Sequence, residues 1–470
     1  MFTAITNTLA NCFKIPELKS RIFFTLIVLG ICRLAALIPC PGLDNAKLKA
    51  YFESAGRSGS DSLMGIYNLF TGGGFENCSV GALGIMPYIS ATIIIQLLTA
   101  VIPRLSKLAR EEGGRTKIVQ YGRYLTLLLC LGQGFVMALS WENADRVFSG
   151  FPGALILPTE HLWLFRFQTM LILTGGTMLL MWLGEQITDR GIGNGISLII
   201  SIGILAQLPQ AGQALVEMFF PGSGLESKFN WGHGVALVLL LLAVVAGVIA
   251  VTQAQRKIPV QYAQRAVGRK VYSGGSSFMP LRVNYAGVMP VIFAQAILMF
   301  PAMILQSLGQ KLTTLSAGWA AALGTNLIKL SVLLNQGSFL YIAFYALMIL
   351  FFSYFWVATQ FNELQIADDM KKSGGYIPGV RPGQATSDFL HRTMSRITLA
   401  GAIFLTVIAV IPILLGNAMG INPIVSQFFG GTSMLIIVGV MLDTMKQMES
   451  HLLMRHYDGF LKKGRIKGRF

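Results

Sequence analysis

The chain has 470 residues, 53% apolar and only 12% charged, whereas soluble domains use roughly 45–50% apolar and about 25% charged residues, so a soluble globular protein is excluded. The formal net charge of +16 fits nucleic acid or anionic lipid equally well until the basic residues are assigned to sides of a membrane. The five cysteines form no CxxC pair and read as buried thiols, and the five histidines form no HExxH, so no zinc site is expected.

A helix needs ~20 apolar residues to cross a bilayer, and ten segments qualify. The first runs from Ile22 to Pro39, behind an arm bearing Lys14, Lys19 and Arg21 against Glu17, which places the arm in the cytoplasm. No small-residue cleavage site follows this run, so it reads as a retained span. Arg33 lies within it and implies a polar partner in a watery cavity, or a side chain snorkelling to the outer interface.

An outer loop, PCPGLDNAKLK, leads to YNLFTGGGFENCSVGALGIMPYISATIIIQLLT over residues 67–99. Glycines 72–74 tolerate backbone angles denied to other residues, so the short piece Tyr67, Asn68, Leu69 and Phe70 can fold back on the helix that follows. A helix broken at membrane depth survives only where protein or water surrounds it, so this stretch is expected to line a cavity. Ile85 and Ile89, four residues apart, share one face of the second span. Cys40 and Cys78 both fall on the outer side and could pair, with no distance in the sequence to decide it.

A cytoplasmic connector with six basic residues, Arg104 to Arg123, precedes a third span ending near Leu139, and residues 140–161 form an outer loop. The fourth span, about 162–183, runs into GEQITDRGIGNGIS (184–197). GIGNG lacks the third glycine of a dinucleotide fingerprint and joins two membrane spans, so nucleotide binding is excluded. Ile196 and Ile200 stand four apart at the entry of a fifth helix that is expected to run to about Phe220. The sixth span, Gly234 to Val251, opens onto a connector holding Arg256, Lys257, Arg265, Arg269, Lys270 and Arg282 with no acidic residue. Such a loop either marks the cytoplasmic side or docks an anionic partner such as ribosomal RNA.

The seventh span begins near Val288 and carries Ile292 and Phe300, with Pro290 and Pro301 expected to bend it. Residues 319–334 are apolar enough to cross, but a crossing would put the later basic loops outside. An outer interfacial helix with Lys329 snorkelling is therefore expected. After the eighth span (339–359), KKSGGYIPGVRPGQAT (371–386) is expected to form a projecting hairpin. Spans nine (397–415) and ten (432–444) precede a basic tail. Of 37 basic residues, 28 fall on the cytoplasmic side, 7 outside and 2, Arg33 and Arg166, within spans, which places both termini in the cytoplasm.

No Gly-Lys dipeptide occurs, so there is no P-loop, and no catalytic residue, metal or cofactor is expected. An ion-coupled transporter also uses broken helices and two related halves. It needs carboxylates inside the spans, whereas the acids here cluster in loops or at helix ends such as Glu185 and Asp443.

Residues 84–99, 184–197, 283–301 and 430–443 closely resemble the SecY family, channel subunits of the bacterial protein translocation machine, and the likeness extends from Arg21 to the tail. It implies an all-α polytopic membrane protein with ten transmembrane helices in two pseudo-symmetric halves, 1–220 and 233–450, around an hourglass pore. An outer hinge loop (221–232), a plug (about 63–76), a lateral gate, cytoplasmic loops 252–285 and 360–396, and a tail (451–470) complete it. By the same resemblance Ile85, Ile89, Ile196, Ile200, Ile292 and Ile436 form a pore ring. Tyr67, Asn68, Leu69, Phe70, Gly72, Gly73 and Gly74 are plug and hinge, and Ser90 and Phe300 line the gate. Arg265, Arg269, Lys270 and Arg381 dock a SecA motor ATPase or a translating ribosome. Gln264 and Lys270 stand where relatives often carry a basic residue and arginine, which leaves the docking chemistry open. Implied partners are SecE-like and SecG-like subunits, SecA, ribosomal RNA and proteins, signal sequences, nascent polypeptides and lipid, at a bacterial plasma (inner) membrane.

Overall fold

The computed structural model describes residues 15–57, 63–111, 113–144, 151, 155–156, 161–220, 231–262, 265–267, 270–272, 275–313, 318–334, 338–421, 423–429 and 431–463. They fall into two compact units: Met1–Glu226 with Met303–Lys329 and Ile436–Phe470, and Ser227–Ala302 with Leu330–Leu435.

In the first unit α1 (Pro16–Ala35) starts with proline in its first turn, where the missing N–H is no loss. Then come α2 (Asn45–Arg57), the short α3 (Leu63–Thr71) and α4 (Met86–Val101), which bends by 104° at Ile102 into α5 (Pro103–Arg110). The long antiparallel neighbours α6 (Gly114–Glu142) and α7 (Leu162–Arg190) follow. The expected fifth helix is two, α8 (Gly195–Leu205) and α9 (Leu208–Phe219), broken at Ala206 and Gln207. Pro209 lies in the first turn of α9 and cannot donate back into α8.

The second unit holds α10 (Trp231–Gln253), strands β1 (Gln255–Tyr262), β2 (Arg265–Val267), β3 (Lys270–Tyr272) and β4 (Ser276–Arg282), and the start of α11 (Met289–Thr313). After α12 (Gly318–Leu333) come α13 (Phe339–Gln360), α14 (Glu363–Ser373), β5 (Gly375–Tyr376), α15 (Gln384–Met419), α16 (Pro423–Phe429) and α17 (Thr432–Lys463). All ten expected spans are helical. Among the described residues seven helices are long and apolar enough to cross a membrane, eight if the bent α4–α5 pair counts as one. The fold is that of an all-α polytopic membrane protein with two small sheets among the described residues, one of three strands and one, β2-β3, of two. α12 is the helix expected at 319–334, and it folds back on the end of α11. A side chain at Gly309 would strike the carbonyl of Gly324 at 2.9 Å and one at Gly324 that of Gly309 at 2.7 Å, so two glycines allow the backbones to touch.

The three-stranded sheet corrects one expectation. Residues 371–386 do not form a hairpin of their own: Gly375 and Tyr376 add as an edge strand to β1, giving the order β4-β1-β5 across two loops far apart in sequence. β1 alternates on one face, with Ile258 and Val260 buried between exposed neighbours, which is the period of a half-buried strand. Ile258 and Leu281 pack with Ile377 against Val357, Phe361, Leu390, Met394 and Ile397 of α13 and α15 and their flanks. The basic loops are therefore seated on the helix ends by an apolar core.

Candidate functional site

The stretch singled out in the sequence is a buried helix hung on polar ties. Tyr67, Asn68, Leu69 and Phe70 are each at most 5% exposed. Helix α3 stops at Thr71 because Gly72 (φ 63°) and Gly73 (φ 83°) turn left-handed, a conformation cheap only for glycine. Gly74 is not left-handed. It is small because a Cβ there would lie 3.0 Å from both the Gly81 carbonyl and Ser79 Oγ.

Arg33 finds a partner at depth: its Nη1 donates to the Gly72 carbonyl at 2.9 Å. Asn68 Nδ2 donates to Glu76 Oε2 at 2.8 Å, and its Oδ1 accepts from the Glu76 amide at 3.1 Å. Gln207, in the break between α8 and α9, donates Nε2 to the Asn68 carbonyl at 2.8 Å, and Gln210 Nε2 reaches Glu76 Oε1 at 3.1 Å. Gln207 in the α8–α9 break thus holds α3, and Gln210 in the first turn of α9 holds the loop behind it. Glu76 is 7% exposed, and the sequence reading missed it because one acid in GGGFENCS looks like a solvated loop residue.

Aromatic rings add a second hold. Phe75, 1% exposed, meets Phe52 at 5.8 Å and Tyr67 at 5.5 Å edge to face, and Trp141 at 6.5 Å, separations at which aromatic pairs attract beyond simple burial. A cavity of about 30 Å³, room for about one water, remains between Arg33, Phe70, Thr71, Ile85, Ile200 and Gly203.

Of the six isoleucines expected to form a ring, Ile85 and Ile200 share that cavity wall with the tip of α3. Ile89 and Ile436 are buried in the same unit, Ile196 is half-buried there, and Ile292 is buried in the second unit. Ser90 is half-buried and donates Oγ to the Met86 carbonyl at 3.0 Å. Arg381 is exposed between β5 and α15. The side chains of Phe300, Arg265 and Lys270, and all of Arg269, lie outside the described residues.

The glycine turn at 191–195 is a structural joint. Asn194 caps α8, its Oδ1 accepting from Ile196 N and Ser197 N. Ile192 N donates to Thr25 Oγ1 of α1 at 3.1 Å, and Gly193 N to Gln447 Oε1 of α17 at 2.9 Å. Helices α6 and α7 are cross-linked near both ends by bidentate ion pairs, Arg123 to Glu185 (3.0 and 2.9 Å) and Arg166 to Glu142 (2.7 and 2.8 Å).

A multi-pass helical bundle with an internal, hinged and polar-tethered short helix is the architecture of a gated membrane channel. The SecY family pattern matches residues 79–445, and the chain belongs to that family. It is 45% identical to the protein translocase subunit SecY of Chlamydia trachomatis, over 98% of this chain and 99% of that one. With the SecY subunit of Thermotoga maritima it shares 42% identity over 98% of each chain. Among solved structures, one described as "The structure of a protein conducting channel" superposes with a TM-score of 0.59 at 18% identity over 92% of both chains. Another, described as showing that the plug domain of the SecY protein stabilises the closed state, superposes at 0.58 and 19% identity over the same shares. At such identities these two speak for the fold.

Proposed function

We propose that this chain is the central protein-conducting channel of a Sec translocon, passing unfolded polypeptides across the membrane and releasing transmembrane segments sideways into lipid. The observation that carries this is α3: a nine-residue helix, buried from Tyr67 to Thr71, on a left-handed glycine hinge, held by side-chain bonds that a passing chain can break and the channel can remake. Ile85, Ile89, Ile196, Ile200, Ile292 and Ile436 would seal the narrowest point, where branched aliphatic side chains repel water and offer a peptide nothing to bond to. Residues 221–232 are the hinge between the halves 1–220 and 233–450, and Ser90 and Phe300 line the lateral gate. Arg265, Arg269, Lys270 and Arg381 dock the SecA motor or the ribosome, and SecE-like and SecG-like subunits complete the assembly. The host is a bacterial plasma membrane, with both termini cytoplasmic. The resemblance of the whole chain to the SecY family supports each assignment. The buried carboxylate Glu76 does not favour an ion-coupled transporter, because amides from Asn68 and Gln210 already occupy both its oxygens.

Reconstitution with a SecE-like subunit, SecA, ATP and an unfolded preprotein tests the reading. Protease protection of the preprotein that needs both ATP and this chain is expected. An assembled complex that protects none, while accumulating a small solute down an ion gradient, overturns it.

A further inference from the structure

We propose that Cys40 and Cys78 are a disulfide-forming pair that rivets the foot of the plug loop to the outer end of α1. Both are thiols in this structure and both are buried, 2% and 0% exposed. The chain before α2 and the loop before α4 run antiparallel: Pro39 pairs with Ser79, Cys40 N donates to the Cys78 carbonyl at 2.8 Å, and Val80 N to that of Ile38 at 2.9 Å. Cys40 and Cys78 therefore lie opposite each other across one backbone hydrogen bond, while Cys78 N turns back to the Phe75 carbonyl at 3.0 Å; a direct N–H···O link keeps two Cα atoms within the ~4.4–6.8 Å that a disulfide spans.

Backbone strain is the second observation. Cys78, at φ 47°, is the only non-glycine among the described residues with a positive φ, while Gly72, Gly73 and Gly84 occupy the other left-handed positions of the same loop. A loop that uses glycine at each of those turns keeps a side chain at this one against a steric cost. Strain retained in this way points to a need for the side chain itself, and that side chain is a buried thiol, on a residue whose backbone carbonyl accepts from the other buried cysteine.

The bond needs an oxidising compartment, so the proposal rests on the topology above, which puts the end of α1 outside. Two S–H bonds break and one S–S bond forms. Two electrons and two protons pass to the disulfide of an extracytoplasmic thiol oxidoreductase, whose own S–S bond opens to two thiols. With both sulfurs buried in the closed loop, the exchange happens during insertion, before the loop packs. Afterwards α3 moves about its glycine hinge from a foot that is covalently fixed.

The test counts free thiols on the full chain in its native membrane, quenched in acid, denatured and treated with a mass-shifting maleimide. Three labels (Cys12, Cys32 and Cys130) are expected before reduction and five after. C40S is expected to take four labels with or without reductant. C78G removes the sulfur and the strain together, and it is expected to give four labels in an assembled channel. Five labels on the unreduced parent overturn the pair. A separate arm tests the topology: N143C in a chain otherwise free of cysteine is expected to react with a membrane-impermeant maleimide from outside. Reaction only after the membrane is opened overturns the topology, and with it the need for an outside oxidant, independently of the thiol count.

Discussion

Replacing Asn68 with alanine removes the side chain at the centre of the plug's polar ties. Two hydrogen bonds go at once, one to the Glu76 carboxylate and one from the Glu76 amide, between groups 5% and 7% exposed. A bond to a charged group contributes ~1.5–3 kcal/mol, and a buried donor deprived of a partner costs ~1–3 kcal/mol. Glu76 keeps its bond from Gln210, so a net loss of ~3 kcal/mol to the seated plug is expected. That moves a closed-to-open ratio about 100-fold, at 1.4 kcal/mol per tenfold. N68D brings a second carboxylate against Glu76 and should exceed this, whereas E76Q keeps an acceptor for Asn68 and should change the ratio less than tenfold. Single-channel recording of assembled complexes in planar bilayers reads the resting open probability directly. The order N68D, N68A, E76Q, parent is expected. Parent-like open probability in both Asn68 variants would refute the reasoning that these bonds hold the plug closed.

Polar substitution at the seal, I89N or I292N, should wet the constriction, raise resting ion conductance and relax the need for a strong signal sequence. Several correctly assembled variants as ion-tight as the parent would reduce these residues to core packing. Reversing Arg265, Arg269, Lys270 and Arg381 to glutamate should weaken binding of SecA or ribosomes, an effect that added salt mimics in the parent. Unchanged affinity in an inserted quadruple variant would sink the docking assignment. At the α7–α8 joint, G195A puts a methyl group onto the Gly184 carbonyl. The channel should lose several degrees of thermal stability, measured by aggregation in detergent, and an unchanged melting temperature would show that the joint yields freely.

Most of the helices could be read from apolar length, because lipid leaves the backbone little else to do, but over 319–334 length could not decide and the placement of the basic loops had to. Arg33 was recognisable as a residue that must answer for its charge, yet its acceptor is the carbonyl of Gly72, 39 residues on, which no local pattern names. Glu76 was hidden for the same reason: Gln210 meets it across 134 residues and Gln207 reaches Asn68 across 139. The sheet escaped because QRKIPVQY reads first as charge. Its two buried positions, Ile258 and Val260, make sense only once β4 and β5 lie beside them. The break at Ala206 and Gln207 left a trace in Pro209, but the apolar run over it looked continuous.

The paired helices α6 and α7 carry their own ruler. Arg123 and Glu142 stand 19 positions apart on one, and Arg166 and Glu185 stand 19 apart on the other, joined crosswise into two rungs. At 1.5 Å per residue that is ~28 Å, close to the ~30 Å of a bilayer's hydrocarbon core. Trp163, stacked 5.3 Å from Arg166, is the kind of residue that rests at headgroup level. Lipid can thus drift past this pair, but the pair cannot bob: a displacement of a few ångströms either way would drag a paired carboxylate and guanidinium into oil. A channel that opens for its cargo needs one region that keeps its depth, and the spacing of these four side chains suits them to hold it.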